Sequence, residues 1–231
     1  MTNNKIVNEN KLFIIPCVAD YDKFNIISSN SINNLKKRLN LLSCDLIIGY
    51  FGSISKIYSP DKMISFFLIL KKKYKNPKIL FFCDNFEYLI NETKIKSSLK
   101  QKDYMLIKPT TMDLNKYYNI CDVTICFVIE SFARIASSPV KLAESLACGT
   151  PVLVNRNVGD LNFIIPKYYQ DGLTNINVNS QLIKSASKIS NLKDIDRKKL
   201  RKASKADLSL SRASKSYEMI YKSLLKKLWK Y

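Results

Sequence analysis

The sequence predicts an α/β fold: a single doubly wound parallel sheet with flanking helices and a helical C-terminal tail. Three observations predict it. Short apolar runs alternate with amphipathic stretches from Leu46 to Ile176. The first run, Leu46–Phe51, is nearly continuous in apolar residues and stops at Gly52, as a strand buried on both faces would. Strands separated by helices pair in parallel through right-handed crossovers.

Taken in order, residues 1–10 are polar and read as loose, and Leu12 to Pro16 form a short apolar strand or strap. Residues 32–42 read as a basic helix. After the strand Leu46–Phe51, the spacing predicts a helix from Lys62 to Tyr74 with Met63, Phe66, Phe67 and Leu70 inward. Strands follow at Ile79–Cys83, Tyr104–Ile107 and Val123–Val128, with helices at Phe86–Leu99 and Leu114–Cys121 between them. A helix begins at Asp160 and is expected to stop at Pro166, and Leu173–Ile176 is a last strand. Residues 180–231 are mostly helical. This divides the chain into a leading segment 1–30, a sheet domain 31–206 and an amphipathic C-terminal helix within 207–231.

The stretch Ser137–Asp160, SSPVKLAESLACGTPVLVNRNVGD, organises the rest. Ser138 is a plausible N-cap, Pro139 suits the first helical position, Gly149 closes the helix and Val152–Val154 is the next strand. Val140, Ala143 and Ala147 share one face, widened by Leu142 and Leu146. Lys141 and Glu144 lie on the polar side. A cation in the first helical turn opposes the helix dipole by roughly 0.3–1 kcal/mol. Lys141 is therefore either an exposed lysine at negligible cost or a ligand for an anion held on the free amides.

Composition narrows the function classes. The 231 residues carry 38 Lys and Arg against 19 Asp and Glu, a formal charge of +19 that suits an anionic partner. The lysines scatter over many elements, however, and the runs at 36–38, 71–73 and 197–202 fall on outer helical faces without interleaved aromatics. A nucleic-acid partner is thereby disfavoured. The six cysteines contain no C-x-x-C pair and read as small buried apolar residues in a reducing compartment. With no histidine in the chain, a histidine-ligated zinc site or an imidazole base is excluded. No metal or cofactor is expected. No apolar run reaches membrane-helix length and the opening lacks a signal-peptide core, so a cytoplasmic location is expected.

Ligands of doubly wound sheets bind outside the carboxyl ends of the strands, at the switch in strand order. The loops that qualify are Gly52–Tyr58, Lys108–Thr111, Ile129–Ser138 and Asn155–Asp160. The third carries Arg134 and two serines before the helix, a combination suited to a pyrophosphate.

PVKLAESLACGTPVLVN…GD resembles the donor-site motif of retaining GT-B glycosyltransferases of the family 4 type. IIPCVADYDKF (14–24), YFGSIS (50–55) and YNICDVTICF (118–127) are similar to further segments of the same family, so the resemblance covers nearly the whole chain. It implies a Rossmann-like domain, the C-terminal half of a GT-B fold, that binds a UDP- or GDP-linked sugar. By resemblance, Glu144 holds the donor ribose hydroxyls. Lys141, Ser137 and Ser138 face the diphosphate, and Arg134 is expected nearby. Gly52 and Ser53 form the turn near the phosphates, Thr110 and Thr111 lie by the base, and Gly159 and Asp160 form the closing loop. Retaining transfer can use the donor phosphate as base, so no protein base is implied and no catalytic residue is assigned.

Three positions depart from the family pattern: Ala136 stands where many members carry a sugar-contacting glutamate, with Glu130 nearby, and in the first turn Ser53 stands where many carry an arginine and Tyr58 roughly where many carry a lysine. A donor-like binding module without transfer activity is the rival reading. In the family the terminal segment crosses onto an acceptor domain. The stripe Leu210, Ala213, Tyr217, Ile220, Tyr221, Leu224, Leu228 within 208–229 is therefore expected to lack part of its cover. It points to an acceptor-domain protein, self-association, or peripheral contact at the inner face of a membrane.

Overall fold

The structure, a computed structural model, describes residues 12–228 and the side chains of 12–225. The expected loose segment at 1–10 lies outside the described residues, as does the end of the expected C-terminal helix from 229 on. Six parallel strands, β1 (Leu46–Phe51), β2 (Pro77–Phe82), β3 (Tyr104–Ile107), β4 (Val123–Cys126), β5 (Val152–Asn155) and β6 (Leu173–Thr174), form one sheet in the order β3-β2-β1-β4-β5-β6. The order reverses between β1 and β4, and their carboxyl ends open the crevice in which the candidate site sits.

Alternate residues of each strand feed opposite cores. Ile47, Phe51, Leu80, Phe82, Val152 and Val154 pack on one face, and Leu46, Ile48, Tyr50, Ile79, Phe81, Val123, Ile125 and Leu153 on the other. The first face is covered by α1 (Ser29–Arg38), α5 (Leu114–Ile120), α6 (Val140–Ala147), α7 (Leu161–Tyr168) and α10 (Arg197–Leu208). The second is covered by α2 (Pro60–Leu70), α3 (Phe86–Asn91), α4 (Ile95–Ser98), α8 (Asn179–Ser187) and α9 (Ile189–Lys193). All six residues of β1 are buried, which explains its uninterrupted apolar run. Met63, Phe66, Phe67 and Leu70 are fully buried on α2, as their spacing predicts. The long helix α11 (Leu210–Leu228) closes the chain.

Of the two alternatives for residues 12–16 the strap holds, with Leu12, Phe13 and Ile14 exposed. Three local expectations are corrected. The helix expected over 86–99 is broken into α3 and α4, with the Thr93 hydroxyl bonded back to the Leu89 carbonyl. Such local side-chain bonding competes with helix continuation. Pro166 lies inside α7 rather than ending it, because the burial of Leu161, Ile164 and Ile165 outweighs one missing N–H. Pro139, not Ser138, occupies the cap position of α6. The Ser138 hydroxyl instead accepts from the Cys17 N–H at 3.1 Å and donates to Asp160 Oδ2 at 3.3 Å.

Candidate functional site

At the switch point, Gly52 leaves β1 with φ +101°, a conformation in which L side chains are strained. A Cβ there would stand 3.0 Å from Lys141 Nζ, so the bare backbone makes room for the lysine head. Lys141 enters from the first turn of α6 and its Nζ donates to the Tyr50 hydroxyl at 3.2 Å. The Tyr50 hydroxyl in turn donates to the Ser53 carbonyl at 2.6 Å, fixing the turn after Gly52. The ammonium lies 3.7 Å from the ring centroid of Tyr58 and 4.6 Å from that of Tyr50. The two rings supply cation–π attraction but no countercharge. Lys141 makes no ion pair among the described residues. Burial pulls its pKa below the ordinary lysine value.

One turn on, Glu144 accepts from the Tyr118 hydroxyl through Oε2 at 2.8 Å. Tyr118 is buried at the head of a stack of rings: it lies 3.7 Å from Phe51, Phe51 4.4 Å from Phe82, and Phe82 4.7 Å from Tyr117. Burial, with Glu144 beside it, drives the Tyr118 pKa well above the phenol value, so it remains a donor. Gly52, Ser53, Phe82, Lys141 and Glu144 line one cavity of about 360 Å³, together with Phe51, Cys83, Asp84, Pro109, Leu114, Tyr118 and Val140. The floor is aromatic, and the polar groups sit at the β1 turn and on α6. Burial raises the Cys83 thiol to about 12, which keeps it neutral beside the lysine.

The remaining candidates gather elsewhere. The Arg134 carbonyl accepts from both the Ser137 N–H at 3.1 Å and the Gly159 N–H at 3.0 Å. Gly159, at φ +49°, lies so close to the Ser137 carbonyl that a Cβ would overlap it. Asp160, bonded to Ser138, has its other carboxylate oxygen buried without a partner among the described residues, and burial raises its pKa. These five residues clamp the loops after β4 and β5 behind the start of α6; none lines the cavity. Thr110 and Thr111 are exposed, with the Thr110 hydroxyl donating to Asp113 Oδ2 at 2.7 Å, while their neighbour Pro109 reaches the cavity.

Tyr50, Tyr58 and Tyr118 shape the polar end of the site and were not among the sequence candidates. Asn155 was also missed. It is fully buried, accepts from the Val128 N–H at 2.8 Å and donates to the Val128 carbonyl at 2.9 Å, continuing the β4–β5 pairing past the end of β4. The sequence signal for Asn155 was its place at the end of an apolar strand, where a buried amide must find partners. The tyrosines carry no such signal, since the site residues they hold, Glu144 for Tyr118 and Lys141 for Tyr50, lie far away in sequence.

The strand order, the crevice at its reversal and the lysine–glutamate helix facing that crevice define a Rossmann-like α/β domain of the type found in GT-B glycosyltransferases. The chain belongs to the family of glycosyl transferases group 1, whose model matches residues 31–207. A glycosyltransferase from Rickettsia africae superposes with a TM-score of 0.73 at 17% identity, over 95% of this chain and 59% of that one. The C-terminal domain of a glycosyl transferase group 1 family protein from Francisella tularensis gives 0.57 at 15% identity, over 88% of this chain and 97% of that one. The Anabaena protein Alr3699/HepE, in complex with UDP and glucose, gives 0.65 at 13% identity, over 90% and 55%. At these identities the likeness is one of fold. The chain spans little more than half the length of the Rickettsia and Anabaena proteins. No curated protein matches the sequence.

Proposed function

We propose that this chain is the donor-binding half of a retaining glycosyltransferase of the family 4 type, taking a UDP- or GDP-linked sugar. The observation that carries the reading is Lys141: a largely desolvated cation without an acidic partner among the described residues, at the head of a helix and directed into the switch-point cavity. A diphosphate would supply the missing countercharge, and the free amides of the first turn of α6 would add donors. Glu144 has one oxygen engaged by Tyr118, and the other would accept from the ribose hydroxyls. Gly52 and Ser53 would let the phosphates approach the backbone. Arg134 and the clamp Ser137, Ser138, Gly159, Asp160 hold the start of α6 in register, and Thr110 and Thr111 border the base. No metal enters this account, and the donor phosphate would take up the acceptor proton during transfer. The acceptor would be held by a further domain, on this or another chain.

Support comes from the family membership and from UDP and glucose in the Anabaena protein. The rival, a donor-like module without transfer, is favoured by Ala136 and Ser53, which lack the charge that many family members carry there. Calorimetric titration with UDP, GDP and inorganic diphosphate tests the donor site. Preference for one nucleoside diphosphate over inorganic diphosphate is expected, whereas equal response to all polyanions would reject it. Transfer of a radiolabelled sugar to an acceptor extract then separates enzyme from module.

A further inference from the structure

Two acids stand in the wall of the switch-point cavity, Glu144 and Asp84, and the donor site described for Lys141 uses only the first. Glu144 is tied to the Tyr118 hydroxyl. Asp84, which follows Cys83 at the carboxyl end of β2, is exposed and makes no ion pair among the described residues. A free carboxylate repels a polyanion, so what it does depends on which part of the ligand it meets.

The sheet fixes its position. β2 lies between β1 and β3, with Phe51, Phe82 and Ile107 level in register. One residue on, the Gly52 N–H donates to the Phe82 carbonyl and the Cys83 N–H to the Ile107 carbonyl, so the three loops leave the sheet in step. Two strand spacings place the ends of β1 and β3 about 10 Å apart. The cavity therefore runs from Gly52 and Lys141, past Cys83 and Asp84, to Pro109 and Leu114. The Cys83 thiol lies between the two charges: beyond the effect of burial, Asp84 pushes its pKa up and Lys141 pulls it down.

With the diphosphate at Lys141 and the ribose at Glu144, the wall left for the base is Cys83, Asp84, Pro109 and Leu114. The apolar members suit the face of a ring, and Asp84 is the polar group that can read its edge. An ionised carboxylate only accepts hydrogen bonds, so it favours a base with adjacent donors. Guanine presents N1–H and the N2 amino group side by side, one for each oxygen. Uracil presents N3–H between two carbonyl oxygens, which the carboxylate repels. Cytosine and adenine each offer one amino group beside an acceptor ring nitrogen.

We propose that Asp84 is the base-selecting residue of the donor site and that it selects guanine, so the donor is a GDP-linked sugar; this rests on the donor-site reading of Lys141 and Glu144.

The test is calorimetric titration of the full chain with GDP, IDP, UDP, CDP, ADP and inorganic diphosphate, repeated on Asp84→Asn. Wild type should bind GDP at least about tenfold more tightly than UDP, and IDP, which lacks the 2-amino donor, severalfold less tightly than GDP. Asp84→Asn replaces an exposed side chain by one of the same shape, so the circular dichroism spectrum should not change. It should weaken GDP at least about tenfold and leave UDP within about twofold, closing the gap between them. Preference for UDP, CDP or ADP in wild type would overturn the proposal while leaving the donor site standing. An unchanged ratio of GDP to UDP affinity in Asp84→Asn would overturn it as well. Equal response to every polyanion, inorganic diphosphate included, would instead reject the donor site itself, and the selection of guanine with it.

Discussion

The buried Tyr118 hydroxyl donates to Glu144 Oε2 at 2.8 Å, so the carboxylate on the polar side of α6 is held by a residue from the preceding helix. Glu144 therefore has a structural partner as well as an open oxygen. Glu144→Ala leaves a buried donor unsatisfied and should cost about 1–3 kcal/mol in urea denaturation. Glu144→Gln keeps an acceptor and should cost less, and adding Tyr118→Phe to Glu144→Ala should restore part of the loss. An unchanged denaturation midpoint for Glu144→Ala would contradict the pairing.

Lys141→Met should stabilise the ligand-free protein, because it removes a desolvated charge while keeping the stem that fills the space beside Tyr58. A gain on the order of 1 kcal/mol would raise Tm by about 2–4 °C. The pH dependence has a definite sign. Folding lowers the lysine pKa below its ordinary 10.5, so between the two values the unfolded chain binds more protons. Wild-type stability should therefore rise relative to Lys141→Met as pH climbs through that window, and the gap should narrow. A Tm gap that widens with rising pH would refute the desolvated lysine.

Gly159→Ala should disrupt the clamp between the loops, because the new methyl group would overlap the Ser137 carbonyl. Gly52→Ala imposes roughly 1–2 kcal/mol of backbone strain at φ +101° and pushes on the Lys141 head, yet meets no backbone atom. Thermal melts should thus rank Gly159→Ala well below Gly52→Ala. The reverse order would show that the loop after β5 is free to move.

Arg201 donates to the carbonyls of Tyr21, Phe24 and Ala147, joining the leading segment, α6 and α10. Arg201→Met should cost about 3 kcal/mol or more by orphaning these acceptors, whereas exposed Lys202→Met should stay within about 0.5 kcal/mol. Equal denaturation midpoints for the two variants would overturn the distinction.

That contrast shows where the sequence was legible. Leu46–Phe51 and Tyr104–Ile107 could be read to the residue because burial on both faces writes itself as an apolar run. The run at 197–202 looked like a solvated face, yet Arg197 donates to the Asn119 and Cys121 carbonyls and Arg201 spans three segments. Such partners lie tens of residues away and leave no local period. Within the candidate site, Lys141 and Glu144 were visible from their helix and Gly52 from its turn. The cavity floor was hidden because Tyr118 and Phe82 read as ordinary core. Ser138 looked like a cap, but Asp160 and the Cys17 amide, distant in sequence, took its hydroxyl.

The central claim is that the switch-point cavity holds a nucleoside diphosphate between Lys141 and Glu144. The direct measurement is isothermal titration calorimetry of UDP and uridine, and of GDP and guanosine, against wild type, Lys141→Met and Glu144→Gln. The account predicts that Lys141→Met weakens the preferred diphosphate at least about tenfold, roughly 1.4 kcal/mol, while leaving the nucleoside nearly unaffected. Glu144→Gln should weaken nucleoside and diphosphate alike. Diphosphate affinity that is the same in wild type and Lys141→Met would contradict it.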